Sequence, residues 1–134
     1  MYITIDETDR RPIYQQIVDE IKAIIASGEL PEGTALPPVR QVAADLGVNL
    51  NTVAFAYRKL QSAGLIKVRH GSGAVVITRV IAKSDEERLE SKLLPVLTDM
   101  VLAGMTKSEV LAMVSTSLKR LAGAGPDEPK PMGR

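Results

Sequence analysis

The chain has 134 residues, 45% apolar but only 3% aromatic, with no cysteine. Those numbers exclude disulfides, thiol nucleophiles and cysteine-based zinc sites, and they require a core of Ile, Leu, Val, Ala and Met. The formal net charge of +1 is uninformative, but residues 40–79 carry six Lys/Arg against one acid, while the other 94 residues carry eleven against fifteen. A basic middle in a near-neutral chain points to a surface that faces a polyanion.

The N-terminal MYITIDETDRR is polar and acidic, unlike a signal peptide. A first helix is expected from Pro12, since proline suits the first helical position. Tyr14, Ile17, Ile21, Ile24 and Ile25 follow at helical spacing, and Gly28 is placed to end the helix. Residues 29–36 contain Pro31 and Gly33 and read as a loop with a short strand near Ala35.

A second helix fits residues 38–46, ended by Gly47, and a third runs over about residues 50–63, ended by Gly64. The period sets Val53, Ala56, Tyr57 and Leu60 on one face and Asn51, Phe55, Arg58 and Ser62 on the opposite one. Two helices joined by a short glycine-containing turn form a helix-turn-helix. Residues 65–69 alternate as a half-buried strand, with Ile66 and Val68 as its apolar side. HGSG is a turn, and residues 74–80 read as the return strand. The expected fold is thus α+β, mainly α: a winged helix-turn-helix over residues 1–80, with the wing tip at residues 70–73.

From Ile81 the pattern changes. Ser84 with Glu87, and Thr106 with Glu109, have capping-box spacing. Leu89, Leu93, Val96, Leu97, Met100 and Val101 form one apolar stripe, which Pro95 is expected to kink. Val110, Leu111, Met113, Val114, Leu118 and Leu121 form a second. Two helices over residues 81–122 are too little to make a core of their own. The stripes should therefore bury against a second copy, the rival being the chain's own winged helix. The longest apolar zone, residues 93–105, contains Pro95 and Asp99 and is too short to span a bilayer. Residues 123–134, with three prolines and three glycines, read as a disordered tail. A cytoplasmic chain without membrane contact is expected.

The stretch from Pro12 to Val76 closely resembles the winged-helix domain of GntR-family bacterial transcription regulators. PIYQQI, the G-x-L-x-x-G loop at Gly28 to Gly33, LPPVRQVAADLGVN-x-NTV, AY-x-x-L, GLI and RHGSG carry the resemblance. The short two-helix extension looks like the YtrA-like subfamily. The resemblance implies dimerisation through those helices, no larger effector domain, and repression of operons that often encode ABC transporters. Four positions depart from the family pattern. Pro38 stands where a capping Ser is frequent, Ala35 where a basic residue is common, and Leu50 and Phe55 where many members have Arg.

The expected partner is double-stranded DNA carrying a pseudo-palindromic operator, bound by a homodimer. Arg40 opens the second helix, and Arg to guanine is the commonest specific base contact; the family match favours this over an ion pair with Asp45. Asn49, Asn51 and Thr52 open the third helix as base or phosphate ligands, or as plain caps. Phe55 either meets thymine methyls or packs against another element. Tyr57 is expected mainly as a core residue, although its hydroxyl could reach a phosphate from the edge. Arg58, Lys59, Lys67 and Arg69 supply phosphate attraction as a group. His70 and Gly71 at the wing tip suit a narrow minor groove, or are simply an exposed turn.

One histidine and no cysteine make a metal set improbable, and GSG between strands opens no nucleotide loop, so no cofactor is expected. No acid pair, and no nucleophile with a base, suggests catalysis. A small effector, if one binds, would use the dimer interface or the junction at residues 81–84. The rival class is a winged-helix protein-interaction module with a partner-binding helical extension.

Overall fold

The computed structural model describes residues 1–69, 73–77 and 83–122. The chain divides into two compact units, Met1–Arg79 and Val80–Arg134. The first unit contains helices α1 (Ile13–Ala26), α2 (Val39–Leu46) and α3 (Leu50–Ser62) and strands β1 (Ala35–Leu36), β2 (Ile66–Arg69) and β3 (Gly73–Val76). The second contains α4 (Lys83–Leu102) and α5 (Lys107–Ala122).

Proline and glycine punctuate the helices as their chemistry demands, with small shifts from the expected ends. Pro12 and Pro38 sit one residue ahead of α1 and α2, as extended N-cap residues with ψ near 149° and 148°. Neither offers a side-chain cap, but the Pro38 carbonyl accepts from the Gln41 and Val42 N–H groups at 3.0 and 3.1 Å. Gly47 ends α2 at φ +67°, and the Val48 N–H returns to the Ala43 carbonyl at 3.1 Å. This left-handed cap needs glycine because a Cβ there would crowd the adjoining carbonyl.

The core of this unit joins Ile17, Ile21 and Ile24 of α1 to Val42 and Ala43 of α2 and Val53, Ala56, Tyr57 and Leu60 of α3. Leu30, Leu36, Ile66, Ala74 and Val76 close it from the loop and sheet. Each fully buried Ile, Leu or Val stabilises the fold by about 1.5–3 kcal/mol before chain entropy is subtracted.

The sheet is antiparallel in the order β1-β3-β2, with Leu36 opposite Ala74 and Ile66 opposite Val76. The strand near Ala35 therefore joins the far edge of β3. Hydrogen bonds from Gly33 N–H to the Val76 carbonyl, and from Val76 N–H to the Thr34 carbonyl, extend that pairing. The expected alternation in β2 is corrected. Only Ile66 is buried, and Val68 is 43% exposed, because the strand runs outward past the core after its first residue.

Sequence patterning also missed Gln16, which is 4% exposed among the apolar residues of α1. Its amide accepts from Asp6 N–H at 2.9 Å and donates to the Asp6 and Arg11 carbonyls at 3.2 Å. These bonds satisfy a buried polar group and pin the N-terminal segment, whose Ile3 and Ile5 pack on the core.

In the second unit α4 runs unbroken through Pro95, and Gly104 ends it at φ +87°. The helix already includes Lys83, so Ser84 lies inside it rather than ahead of it; Asp85 and Glu86 occupy its first turn, where the helix dipole favours acids. Ahead of α5 the expected capping box is present. Glu109 N–H donates to Thr106 Oγ1 at 3.2 Å, and Thr106 N–H donates to Glu109 Oε1 at 3.0 Å. These bonds hold the Glu109 carboxyl below its ordinary value of 4.5. Among the described residues of α4 and α5 none is buried.

Candidate nucleic-acid interface

The turn between α2 and α3 is built by Asn49. Its side-chain oxygen accepts from the Asn51 N–H at 2.7 Å, satisfying one of the unpaired donors at the start of α3. Asn49 is therefore a helix cap. Asn51 is exposed beside it, and Thr52 is half-buried.

Tyr57 lies within the core at 2% exposure, and its hydroxyl donates to the Pro37 carbonyl at 2.6 Å. The core role expected for Tyr57 is what the structure shows, with the hydroxyl bonded inside the protein. The bond joins the middle of α3 to the residue before the N-cap of α2, and so sets the start of the helix that carries Arg40. Burial pushes the Tyr57 phenol up to about 12.

Phe55 is also placed differently from an open groove-facing ring. It meets Tyr14 of α1 edge-to-face, with ring centroids 4.7 Å apart. The Arg58 guanidinium and the Lys59 ammonium lie 5.7 and 5.2 Å from its centroid. Of the two readings for Phe55, the structure shows the packing one. Both cations lie within cation–π reach of the half-buried ring.

Beside α3 lies instead a cleft of about 360 Å³ between the start of α2, the middle of α3 and the wing strands. Arg40, Arg58 and Arg69 line it, and among the described residues no acidic residue does. Between them lie Val39, Ala54 and Val68. The position of β2 against α3 is fixed by Gln61, whose side-chain oxygen accepts from the Val68 N–H at 2.7 Å.

Thus four of the residues singled out from the sequence converge, Arg40, Tyr57, Arg58 and Arg69, from three separate elements. Asn49, Asn51, Thr52, Phe55 and Lys67 are not in the cleft lining, although Asn49, Asn51 and Lys67 are exposed. His70 and Gly71 lie outside the described residues, as do 78–82 and 123–134, which contain the expected end of the return strand and the tail. Sequence reasoning missed Val39, Ala54, Val68 and Gln61. The one available signal was Ala54, whose small side chain in the third helix leaves room for a close approach.

The apolar positions singled out in the second unit stand open. Leu89, Leu93, Val96, Val101, Val114 and Leu118 are exposed, and Leu97, Met100 and Val110 are half-buried. No helix among the described residues is long and apolar enough to cross a membrane.

A family model described as bacterial regulatory proteins, gntR family, matches residues 13–76. Among solved structures, the chain is similar to YtrA from Sulfolobus acidocaldarius, a GntR-family transcription factor. The two are 35% identical, with 87% of this chain and 97% of that one covered and a TM-score of 0.56. It is also similar to a transcriptional antiterminator from Listeria monocytogenes EGD-e, at 27% identity, 96% and 98% coverage and a TM-score of 0.85. A curated relative, the HTH-type transcriptional repressor YtrA of Bacillus subtilis (strain 168), is 36% identical over 74 residues, 55% of this chain and 57% of that protein. The chain likewise spans 62% of one further curated relative and 28% of another.

Proposed function

The chain belongs to the gntR family of bacterial regulatory proteins, and from that premise we propose that it is a dimeric, sequence-specific DNA-binding transcription regulator that represses its target operon. The observation that carries this reading is the convergence of Arg40, Arg58 and Arg69 on one acid-free cleft beside the exposed start of α3. Arg40 and the α3 start read base edges, while Arg58, Lys67 and Arg69, with His70 and Gly71 of the wing tip, position the duplex. It is a binding protein rather than an enzyme, needs no cofactor, and works in the cytoplasm where its DNA lies.

The second part of the proposal concerns the dimer. Residues 1–80 form the DNA-binding domain and residues 81–122 the dimerisation region. Leu89, Leu93, Val96, Leu97, Met100 and Val101 of α4, with Val110, Val114 and Leu118 of α5, face a second copy. What supports this is the absence of any buried residue among the described residues of α4 and α5, together with their many exposed aliphatic side chains. Helices of this length do not hold themselves together without tertiary packing. Two reading helices would then meet a pseudo-palindromic operator with half-sites about 34–36 Å apart, or a multiple of that. The repressor name of the B. subtilis relative supports the sense of regulation.

The test is duplex affinity against salt, using sequences selected from a random pool. A chain that neutralises Z phosphates gives a log–log slope of about −0.9Z. A flat slope with no preferred sequence would sink this reading in favour of a protein-interaction module.

A further inference from the structure

The arginines explain why the cleft attracts a polyanion. They do not explain its apolar lining, in which Val39, Ala54 and Val68 come from α2, α3 and β2. Val68 is a β-branched side chain left 43% exposed, and its backbone is tied to α3 through Gln61. A loose wing would not need that tether, and a purely phosphate-binding surface would not need the valine. The aromatic ring expected to make apolar contacts with bases, Phe55, is turned to Tyr14 instead.

In the major groove the base edges present donors, acceptors and one apolar group, the 5-methyl of thymine. We propose that the Val39–Ala54–Val68 surface receives the methyl of one thymine in each half-site, while Arg58 and Arg69 take the flanking phosphates. This rests on the DNA-reading function proposed above and names the base feature that the site selects. Charge complementarity decides the occupant. With three arginines and no acidic residue among the described residues of the lining, an apolar group carried by a phosphodiester is favoured over an apolar group of a neutral or basic peptide.

Thymine-to-deoxyuridine scanning tests the proposal, because it removes the methyl and leaves every base-pair hydrogen bond. The probe is the duplex recovered from a random pool by the full chain, resynthesised with one deoxyuridine at a time. One position per half-site should weaken binding about fourfold, the worth of one buried methyl group. In the variants V68A, which removes part of the surface, and A54L, which fills it, that ratio should fall toward one. An unchanged circular dichroism spectrum and melting midpoint report that each variant is folded.

Selective binding with no thymine common to the recovered half-sites, or with deoxyuridine neutral at every position, overturns the proposal and leaves DNA reading intact. A deoxyuridine effect that persists in both variants overturns it too, since the methyl is then read elsewhere. Failure to select any duplex, with a flat salt dependence, removes this proposal together with the DNA reading beneath it.

Discussion

Replacing Tyr57 by Phe removes one oxygen from the centre of the first unit and nothing else. The lost partner is the Pro37 carbonyl, 2.6 Å from the hydroxyl. A buried acceptor left unpaired costs about 1–3 kcal/mol. Pro37 is half-buried, so water can reach part of that carbonyl, and the lower end of about 1–1.5 kcal/mol applies at neutral pH. For a domain of this size each kcal/mol moves the midpoint by about 4–8 °C, so a drop of roughly 5–10 °C is expected.

The sign changes in alkali. The folded-state phenol is raised from 10.0 to about 12, so its contribution is complete below pH 10 and is lost as pH rises through 12. At about 1.36 kcal/mol per tenfold change in proton affinity, the loss reaches about 2–3 kcal/mol. Phe has nothing to ionise, so the stability curves of the two proteins should converge and cross between pH 10 and 12. Urea unfolding followed by circular dichroism at fixed protein concentration measures both effects. A variant as stable as the parent at pH 7 would refute the bond to Pro37, and an offset unchanged up to pH 12 would refute the burial of the hydroxyl.

Four further outcomes are expected. Arg40→Ala should weaken specific binding by about 1–3 kcal/mol and relax one base position; binding of selected and randomised duplexes measures it, and unchanged specificity argues against a base contact. Removing residues 84–134 should give a monomer that holds the operator weakly. A persistent dimer in sedimentation equilibrium would place the interface elsewhere. Gly47→Ala should cost roughly 1–2 kcal/mol in chemical denaturation, entirely from its φ of +67°, since beyond its own chain neighbours an added Cβ would meet nothing within 4 Å. The Thr106–Glu109 box should be intact above the unfolded carboxyl value of about 4.5 and weaken as pH falls through the lower folded value. Glu109→Gln should lose that acid sensitivity in helicity measured against pH.

Much of the fold and part of the site were legible because their causes are local. The apolar faces of α1 and α3 follow from the helical period, and Pro12, Pro38, Gly47 and Gly104 act within a residue or two of themselves. Thr106 and Glu109 find each other across three residues. The basic middle of the chain is countable from the sequence alone, and it holds Arg40, Arg58 and Arg69, the three arginines of the cleft.

What the tertiary structure decided was which neighbour each flank of a helix meets. Periodicity measures how far a side chain points from the core, not what stands on its left or right. Ala54 and Phe55 are about 100° apart on α3, and both lie well off the core face. Only the packing of α1 gives Phe55 to Tyr14, and only the packing of α2 and β2 gives Ala54 to the cleft. The same holds for Gln16, Gln61 and the Tyr57 hydroxyl, whose partners lie 5 to 20 residues away. Their roles come from hydrogen bonds to distant backbone, which composition and spacing do not encode. Helix and turn positions are therefore properties of short segments, whereas the arginine cleft exists only once the neighbouring elements are packed around α3.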